Sequence, residues 1–259
     1  MIYKPIFIAG PCVIENDDVM AEIASEICRL NKLYDIDIIF KASFDKANRT
    51  SSSSYRGVGL EAGIDILSNI KSKYGLRLCT DIHESYQAPI IGKVIDVIQI
   101  PAFLCRQTDL IVSAAKTGKI LNIKKAQFLS GNDMKYPVEK AREAGAKEIY
   151  LTERGNMFGY NNLIVDFRNI ADMKKWTDHV IMDCTHSVQR PGGDGNKSAG
   201  DREFIPAMAL AAKAFGANGY FFEVHPNPRL ALSDGANSLH LKNLESVIVS
   251  LLQSNEVKQ

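Results

Sequence analysis

The sequence has few cysteines, and they do not form a disulfide pattern. Five cysteines, an odd number, are spread widely over 259 residues. Small secreted proteins use paired, closely spaced cysteines as a framework. The composition therefore argues against a disulfide scaffold and favours a reducing compartment.

The sequence also lacks a long apolar run and an excess of charge of either sign. No run is long enough to span a bilayer. The segment 1–15 is interrupted by Pro5, Gly10 and Pro11 and lacks the layout of a signal peptide. We therefore expect a cytoplasmic protein with no membrane partner. Lys and Arg total 31 against 30 Asp and Glu, and this balance argues against a nucleic-acid partner.

What the sequence does contain is eight short apolar runs, each followed by a charged, amide or thiol residue. A strand buried on both faces reads as a continuous apolar run. Eight such parallel strands separated by helices define a (β/α)8 TIM barrel, whose active site lies at the carboxyl ends of the strands. We predict an α/β fold with a single barrel domain over residues 1–259. The predicted strands are Pro5–Ala9, Asp37–Phe40, Leu76–Cys79, Val94–Ile98, Ile120–Ile123, Glu148–Leu151, Val180–Met182 and Tyr220–Phe222.

Apolar residues recur at helical spacing between most of these runs. An open doubly wound sheet is the chief rival fold. It lacks support, because the chain has neither a dinucleotide fingerprint nor a phosphate-loop motif. The periodic segments predict helices over residues 19–30, 60–70, 110–115, 138–144, 205–215 and 239–251.

Two connecting segments are unusually long, Asp45–Gly59 after the second strand and Ser187–Asp201 after the seventh. Loops of this length in a compact domain are usually lids or binding loops. A disordered surface loop is the alternative for each.

Seven cations follow the predicted strands. A lysine beside an apolar strand is costly unless an anion neutralises it. Convergence of these side chains at one rim predicts substrates with several negative charges, such as phosphates and carboxylates. The alternative is a set of surface cations whose stems pack on apolar neighbours. The set comprises Lys41, Lys46, Arg49, Arg106, Lys124, Lys125 and Arg154.

Cys12, His186, Glu223 and Asp234 follow the first, seventh and eighth strands, which are neighbours in a closed barrel. A mixed set of sulfur, nitrogen and oxygen donors suits a divalent transition metal such as Zn, Fe, Mn or Co. The spacing contains no short metal-binding pattern, so a buried structural thiol remains the alternative for Cys12.

Four polar residues at strand ends or in the following loop could hydrogen-bond the hydroxyl groups of a sugar-like substrate. Each could equally be a satisfied polar residue of the fold. They are Asn48, Asp81, His83 and Gln99.

The motifs that contain these residues are Ile8-Ala9-Gly10-Pro11-Cys12, Phe40-Lys41-Ala42-Ser43-Phe44-Asp45-Lys46-Ala47-Asn48-Arg49, Thr80-Asp81-Ile82-His83-Glu84, Gln99-Ile100-Pro101-Ala102-Phe103-Leu104, Asn122-Ile123-Lys124-Lys125, Glu153-Arg154-Gly155, Asp183-Cys184-Thr185-His186-Ser187 and Phe222-Glu223-Val224-His225-Pro226. Together they resemble the 3-deoxy-D-manno-octulosonate 8-phosphate synthase family. The resemblance covers nearly the whole chain, in order. It implies a (β/α)8 barrel, usually a homotetramer, that condenses phosphoenolpyruvate with D-arabinose 5-phosphate and releases phosphate. The product of that family feeds the inner core of lipopolysaccharide.

The same resemblance implies roles for individual residues, with Lys46, Asn48, Asp81 and His186 as the catalytic set. Gln99 belongs to the substrate-binding set. Cys12 stands where metal-independent members have Asn, and so implies the metal-dependent branch, with Cys12, His186, Glu223 and Asp234 as ligands. The implied contacts are Lys124 and Arg154 with the phosphate of phosphoenolpyruvate, Lys41 and Lys46 with its carboxylate, Asn48 and Asp81 with the sugar hydroxyls, and Arg49, Thr50 and Arg106 of a neighbouring subunit with the sugar phosphate.

Three other functions are compatible with this pattern. The related 3-deoxy-D-arabino-heptulosonate 7-phosphate synthases typically have Lys-Pro-Arg-Thr where this chain has Lys46-Ala47-Asn48-Arg49, although Thr50 matches them. A Schiff-base aldolase would use Lys124 as its nucleophile. A non-catalytic barrel that binds sugar phosphates is the third. The segment Thr50–Ser54 and Arg190 depart from the octulosonate pattern.

Overall fold

The structure is a computed structural model that describes residues 4–48, 51, 53–158, 161–194 and 197–253. Eight parallel strands pair in chain order, and the last pairs with the first, so the sheet closes into a barrel. The predicted (β/α)8 barrel is thereby confirmed. The strands are β1 (Ile6–Gly10), β2 (Ile38–Lys41), β3 (Leu78–Asp81), β4 (Val97–Ile100), β5 (Ile120–Lys124), β6 (Ile149–Glu153), β7 (His179–Asp183) and β8 (Gly219–His225).

The strands are buried on both faces, which explains their continuous apolar runs. One apolar layer inside the barrel takes one buried side chain from every strand except β5, whose Ile120 packs against the layer, and a larger layer lies between the strands and the helices. Several strands extend one to three residues beyond the apolar run, into the polar residues that follow it. The interior layer consists of Ile8, Ile39, Cys79, Val97, Tyr150, Ile181 and Phe221, with Ile6 and Ile120 packed against it.

Eight α-helices in the described part of the chain cover the barrel. The side chain of Asn16 caps the first by accepting a hydrogen bond from the Val19 N–H at 3.0 Å, and Gly75 ends the second in the left-handed conformation. The sequence predicts neither the third nor the sixth helix, because each is too short to show a helical period. The helices are α1 (Asp17–Tyr34), α2 (Leu60–Tyr74), α3 (Gln87–Ile91), α4 (Thr108–Ala115), α5 (Lys135–Glu143), α6 (Arg168–Met173), α7 (Ile205–Ala214) and α8 (Leu244–Leu252).

The closing helix begins later than predicted. Leu239 and His240 form a short strand that pairs with the end of β8, so the helical prediction for Leu239 is wrong. None of the described helices is long and apolar enough to cross a membrane.

Three loops at the carboxyl ends of the strands rise above the barrel. The described part of the loop after β2 contains no helix or strand, and a Gly59 N–H to Phe44 carbonyl bond of 3.0 Å closes its base. The loop after β6 forms a small hairpin of Asn156–Met157 with Leu163–Ile164. The loop after β7 forms a larger hairpin of Gln189–Asp194 with Lys197–Gly200. These loops surround the rim to which the sequence assigns the site.

Gly10 ends β1 where β2 lies too close for a side chain, since a Cβ there would collide with the Lys41 carbonyl. We predict that Gly10→Ala lowers the free energy of unfolding by about 3 kcal/mol, the cost of overpacking a rigid core. Gly118→Ala is the control, because nothing lies within 4 Å of its Cβ position and only its φ of +71° opposes the substitution. The control should cost about 1 kcal/mol. Urea denaturation of both variants measures this, and equal losses would contradict the prediction.

Candidate active site

A cavity of about 880 Å³ opens at the carboxyl ends of the strands. Nine of the residues that the sequence assigns to a site line it, together with His83. Cys12 and Glu223 lie buried beneath it. The nine are Lys41, Lys46, Asn48, Asp81, Gln99, Lys124, Arg154, His186 and Asp234.

The sequence assigns three further residues, Arg49, Thr50 and Arg106, to substrate binding. Arg49 and Thr50 lie outside the described residues. Arg106 is exposed, away from the cavity of its own chain. Its predicted contact from a neighbouring subunit remains a prediction.

The cations of the rim are buried, so the surface interpretation does not hold for them. Lys41, Lys46, Lys124 and Arg154 are 1%, 9%, 6% and 5% exposed. Charges removed from water in this way need counter-charges or bound anions. Burial lowers the pKa of the Arg154 guanidinium despite nearby carboxylates.

Lys41 and Lys46 face the carboxylate of Glu223. Their Nζ atoms lie 3.8 and 3.7 Å from its Oε1 atom. Lys41 also donates to the Cys12 carbonyl at 3.1 Å and to the Ser43 hydroxyl at 2.7 Å. Burial opposes the charge of Lys46, but the surrounding acidic groups outweigh it and raise its pKa well above the ordinary value. Lys46 is therefore a cation at neutral pH.

Asp183, at the end of β7, joins two parts of the site. Its Oδ2 atom accepts from Lys124 Nζ at 2.5 Å and lies 2.7 Å from His186 Nδ1. Its Oδ1 atom accepts the N–H groups of Thr185 and His186 at 3.2 and 2.8 Å. Burial alone would raise the pKa of Asp183, but the His186 and Lys124 cations lower it well below 3.8. The sequence predicts no individual role for Asp183, although this carboxylate directly follows an apolar run and precedes His186 by three residues.

The bond to Asp183 fixes the orientation of the His186 ring. With Nδ1 directed at a carboxylate, Nε2 faces Glu223 Oε1 at 3.5 Å and Asp234 Oδ2 at 3.7 Å. This is the arrangement that prepares a histidine for metal ligation. Burial lowers the pKa of His186, but the carboxylates of Asp183 and Glu223 outweigh it, and the net shift is upward.

Three further donors complete the cluster beside His186. Atoms of Cys12, Glu223 and Asp234 lie within 4.8 Å of one another. Both carboxylate oxygens of Glu223 are buried and have no hydrogen-bond partner among the described residues. A buried carboxylate without hydrogen bonds is costly unless a cation neutralises it. The two nearby lysines supply positive charge of this kind, and a divalent ion held by these donors would supply more. The residues therefore fit a metal ion.

The thiol of Cys12 lies 2.8 Å from the Ser233 hydroxyl and 3.3 Å from Asp234 Oδ2. Burial, then Asp234 and Glu223, raise its pKa well above the ordinary 9.0. The thiol is thus protonated at neutral pH unless a cation takes the place of its proton.

The loop that carries Asp234 is held from several sides. Asp234 has a φ of +48°. Arg202 donates to the Gly235 and Ala236 carbonyls at 2.7 and 3.2 Å. Glu15 accepts the Leu232 N–H at 3.1 Å and pairs with His225 at 3.3 Å. The sequence predicts no role for Arg202 or Ser233, because loop contacts between distant segments leave no periodic signal.

The polar residues predicted to meet hydroxyl groups share one wall of the cavity. Asp81 lies 3.4 Å from His83 Nε2, and its Oδ1 atom has no hydrogen-bond partner among the described residues. Asn122 donates to the buried side chain of Gln99 at 3.2 Å. Gln127 also lines the cavity, and its Oε1 atom has no hydrogen-bond partner among the described residues. The sequence does not predict Gln127 as a site residue.

The predicted position of Lys125 at the rim is wrong. Lys125 does not line the cavity and is fully buried behind its wall. Successive side chains at a strand end point to opposite faces, so Lys124 points inward and Lys125 outward. Glu153 and Arg154 divide in the same way at the end of β6.

The fold and the cavity define a (β/α)8 barrel whose rim carries buried cations beside a cluster of acidic, imidazole and thiol side chains. The model of the DAHP synthetase I family matches residues 3–259. The chain is 53% identical over 245 residues to the 2-dehydro-3-deoxyphosphooctonate aldolase of Cyanothece sp., covering 95% of this chain and 90% of the relative. Proteins of the same name from Fusobacterium nucleatum and Helicobacter hepaticus are 50% and 51% identical, over 97% and 98% of this chain and 91% and 98% of theirs. The chain therefore belongs to the DAHP synthetase I family.

The pairing of Asp183 with Lys124 can be measured by a double-mutant cycle of Asp183→Asn and Lys124→Met. We predict a coupling free energy of about 2 kcal/mol at pH 7, because each single variant leaves the other charge buried and unpaired. A depressed carboxyl pKa gives stability that is lost only as the pH falls through the folded pKa. Because that pKa lies well below 3.8, the coupling should persist from pH 7 to pH 5. Urea denaturation measures it, and additive losses would contradict the pairing.

Proposed function

We propose that the enzyme condenses phosphoenolpyruvate with D-arabinose 5-phosphate and water to give 3-deoxy-D-manno-octulosonate 8-phosphate and phosphate. The observation that carries this proposal is the convergence of four buried cations on one large cavity. Each substrate brings a phosphate, and phosphoenolpyruvate adds a carboxylate, so their charges complement the rim. The name of the relatives supports the choice of an octulosonate phosphate. In this proposal the enzyme works in the cytoplasm. Its product would be a precursor of the lipopolysaccharide inner core.

Phosphoenolpyruvate would occupy the deep end of the cavity. Lys124 and Arg154 hold its phosphate in this proposal, and Lys41 and Lys46 face its carboxylate. Gln99 and Gln127 can donate side-chain N–H groups to the same molecule. Holding both anionic ends fixes the direction in which its reactive carbon points.

The sugar phosphate would lie nearer the cavity mouth. Asn48 and Asp81 contact its hydroxyl groups. Its phosphate meets Arg49 and Thr50, with Arg106 supplied by a neighbouring subunit of a homotetramer. An exposed Arg106 that misses its own cavity is compatible with that arrangement.

The reaction forms a bond between C3 of phosphoenolpyruvate and the aldehyde carbon of the sugar. Positive charge develops at C2, water adds there, and phosphate leaves by cleavage of the C–O bond. Lys124 and Arg154 stabilise the negative charge on the departing phosphate. Lys46, a cation on the adjoining wall, can stabilise the oxygen of the former aldehyde. Asp183 holds the proton of His186 at Nδ1, which leaves Nε2 directed at Glu223 and Asp234.

Cys12, His186, Glu223 and Asp234 would hold a divalent transition metal, Zn, Fe, Mn or Co. Such an ion supplies electrostatic activation and positioning of a water molecule or carbonyl oxygen. The chain's own contribution is the fixed placement of the four donors, through Asp183 on His186 and through Arg202 on the Asp234 loop.

We predict turnover of phosphoenolpyruvate with D-arabinose 5-phosphate and little or none with erythrose 4-phosphate. The measurement is release of inorganic phosphate and mass analysis of the product for each sugar. Turnover only with the shorter sugar would identify a heptulosonate synthase. Binding of the sugar phosphate without phosphate release would identify a non-catalytic barrel.

Treatment with borohydride during turnover should add no mass to Lys124, because no Schiff base forms.

Removal of the metal should abolish activity. We expect a chelator to inactivate the enzyme and a divalent transition metal to restore it. Cys12→Asn should bind less metal, measured by elemental analysis, and retain a turnover that the chelator does not change. Cys28→Ser is the matched control, because Cys28 lies in α1 away from the cluster and should leave both metal content and activity unchanged. Full activity in metal-free wild-type protein would refute the metal requirement.

A further inference from the structure

Behind the cavity wall lies a buried ion pair that the proposed reaction does not use. Lys125 Nζ lies 3.3 Å from Glu153 Oε1, and neither side chain is exposed to solvent. Burying both charges is expensive, and apolar residues of similar size often replace such pairs without loss of stability. Stability alone is therefore a poor explanation for this pair.

Glu153 holds the backbone of the residue that follows it. Its Oε1 atom accepts the N–H groups of Arg154 at 2.9 Å and of Gly155 at 2.7 Å. Gly155 has a φ of +89°, so the chain turns sharply here. The carboxylate thus fixes the direction in which Arg154 leaves β6 and enters the cavity. In the cavity, the Arg154 guanidinium donates to Gln189 Oε1 at 3.2 Å. The Nη1 atom of Arg154 has no hydrogen-bond partner among the described residues.

Lys125 ties the loop after β5 to the loop after β6. It donates to the Leu129 carbonyl at 3.0 Å and to Asn156 Oδ1 at 2.9 Å, and Asn156 in turn donates to Leu129 O at 2.7 Å. The Met157 N–H donates to the Gln127 carbonyl at 3.0 Å. Gln127, whose side chain lines the cavity, is held within this network.

The ends of β5 and β6 are therefore organised in the same way. Lys124 and Arg154 point into the cavity, and Lys125 and Glu153, their immediate neighbours, fix the backbone from behind. β5 and β6 are adjacent and paired in register, with Lys124 opposite Thr152.

We infer that Lys125 and Glu153 are positioning residues that set Arg154 and Gln127 for the phosphate group of phosphoenolpyruvate. This inference rests on the proposed function. Burial lowers the pKa of Lys125, but the adjacent Glu153 carboxylate opposes the shift, in keeping with a charge retained for its hydrogen bonds.

Two double variants test the inference. Lys125→Met with Glu153→Gln keeps an oxygen that can accept from Arg154 and Gly155, and we term it the acceptor-retaining variant. Lys125→Met with Glu153→Leu removes that oxygen, and we term it the apolar variant. Neither leaves a buried charge unpaired. The measurements are the KM for each substrate, inhibition by inorganic phosphate, and the midpoint of urea denaturation.

We expect the apolar variant to raise the KM for phosphoenolpyruvate and the phosphate inhibition constant about tenfold, as a displaced binding group does. Its KM for arabinose 5-phosphate should change less than about threefold, because that site lies on other strands. The acceptor-retaining variant should fall between the apolar variant and wild type. A purely structural role predicts instead that both KM values change together and follow the denaturation midpoint. That outcome, or wild-type KM values in the apolar variant, would overturn the inference.

If the apolar variant does not fold, Asn156→Ala replaces it, since it removes the bonds of Asn156 to Lys125 and Leu129 and leaves both charges of the ion pair in place. It should raise the KM for phosphoenolpyruvate selectively, and an unchanged KM would overturn the inference. Failure of the proposed function is separate, because it would appear as no turnover in the wild-type enzyme. Calorimetric binding of inorganic phosphate to wild type and to the apolar variant gives a comparison that does not depend on turnover.

Discussion

The buried carboxylate of Asp183 is the constraint on which the rest of the site depends. Asp183 neutralises Lys124 inside the barrel at 2.5 Å. The same carboxylate directs His186 Nε2 toward Glu223 and Asp234. One residue at the end of β7 thus connects the cations that would bind phosphate with the donors that would bind metal. Displacement of one group would be felt at the other, because both share a single counter-charge.

The alternation of side chains at strand ends provides a second level of organisation. Residues that point inward form the cavity, while their neighbours in sequence form the hydrogen-bonded frame behind it. The buried pair of Lys125 and Glu153 is the clearest case. At the ends of β5 and β6, one charged residue lines the cavity and its neighbour in sequence holds the backbone behind the wall. Preorganisation of this kind lowers the cost of binding two anions at once.

The fold was predictable because barrel strands are buried on both faces. Such strands consist of continuous apolar runs, and the sequence contains eight of them. The inward cations and the donor cluster were also predictable, since the closed topology brings strand ends together. Other features were not. Helices α3 and α6 are too short to show a period, and Lys125 differs from Lys124 only by the direction of its side chain. Arg202 acts through loop contacts between segments far apart in the chain. The contribution of Arg106 from a neighbouring subunit remains a prediction.

A crystal structure of the enzyme with phosphoenolpyruvate bound is the most direct measurement of how this rim works. The phosphate should accept hydrogen bonds from Lys124 and Arg154, and the carboxylate should face Lys41 and Lys46. The backbone of Arg154 and Gly155 should remain on Glu153. Phosphoenolpyruvate bound outside this cavity, or bound inside it in the reverse direction with its phosphate on Lys41 and Lys46, would contradict the assignment.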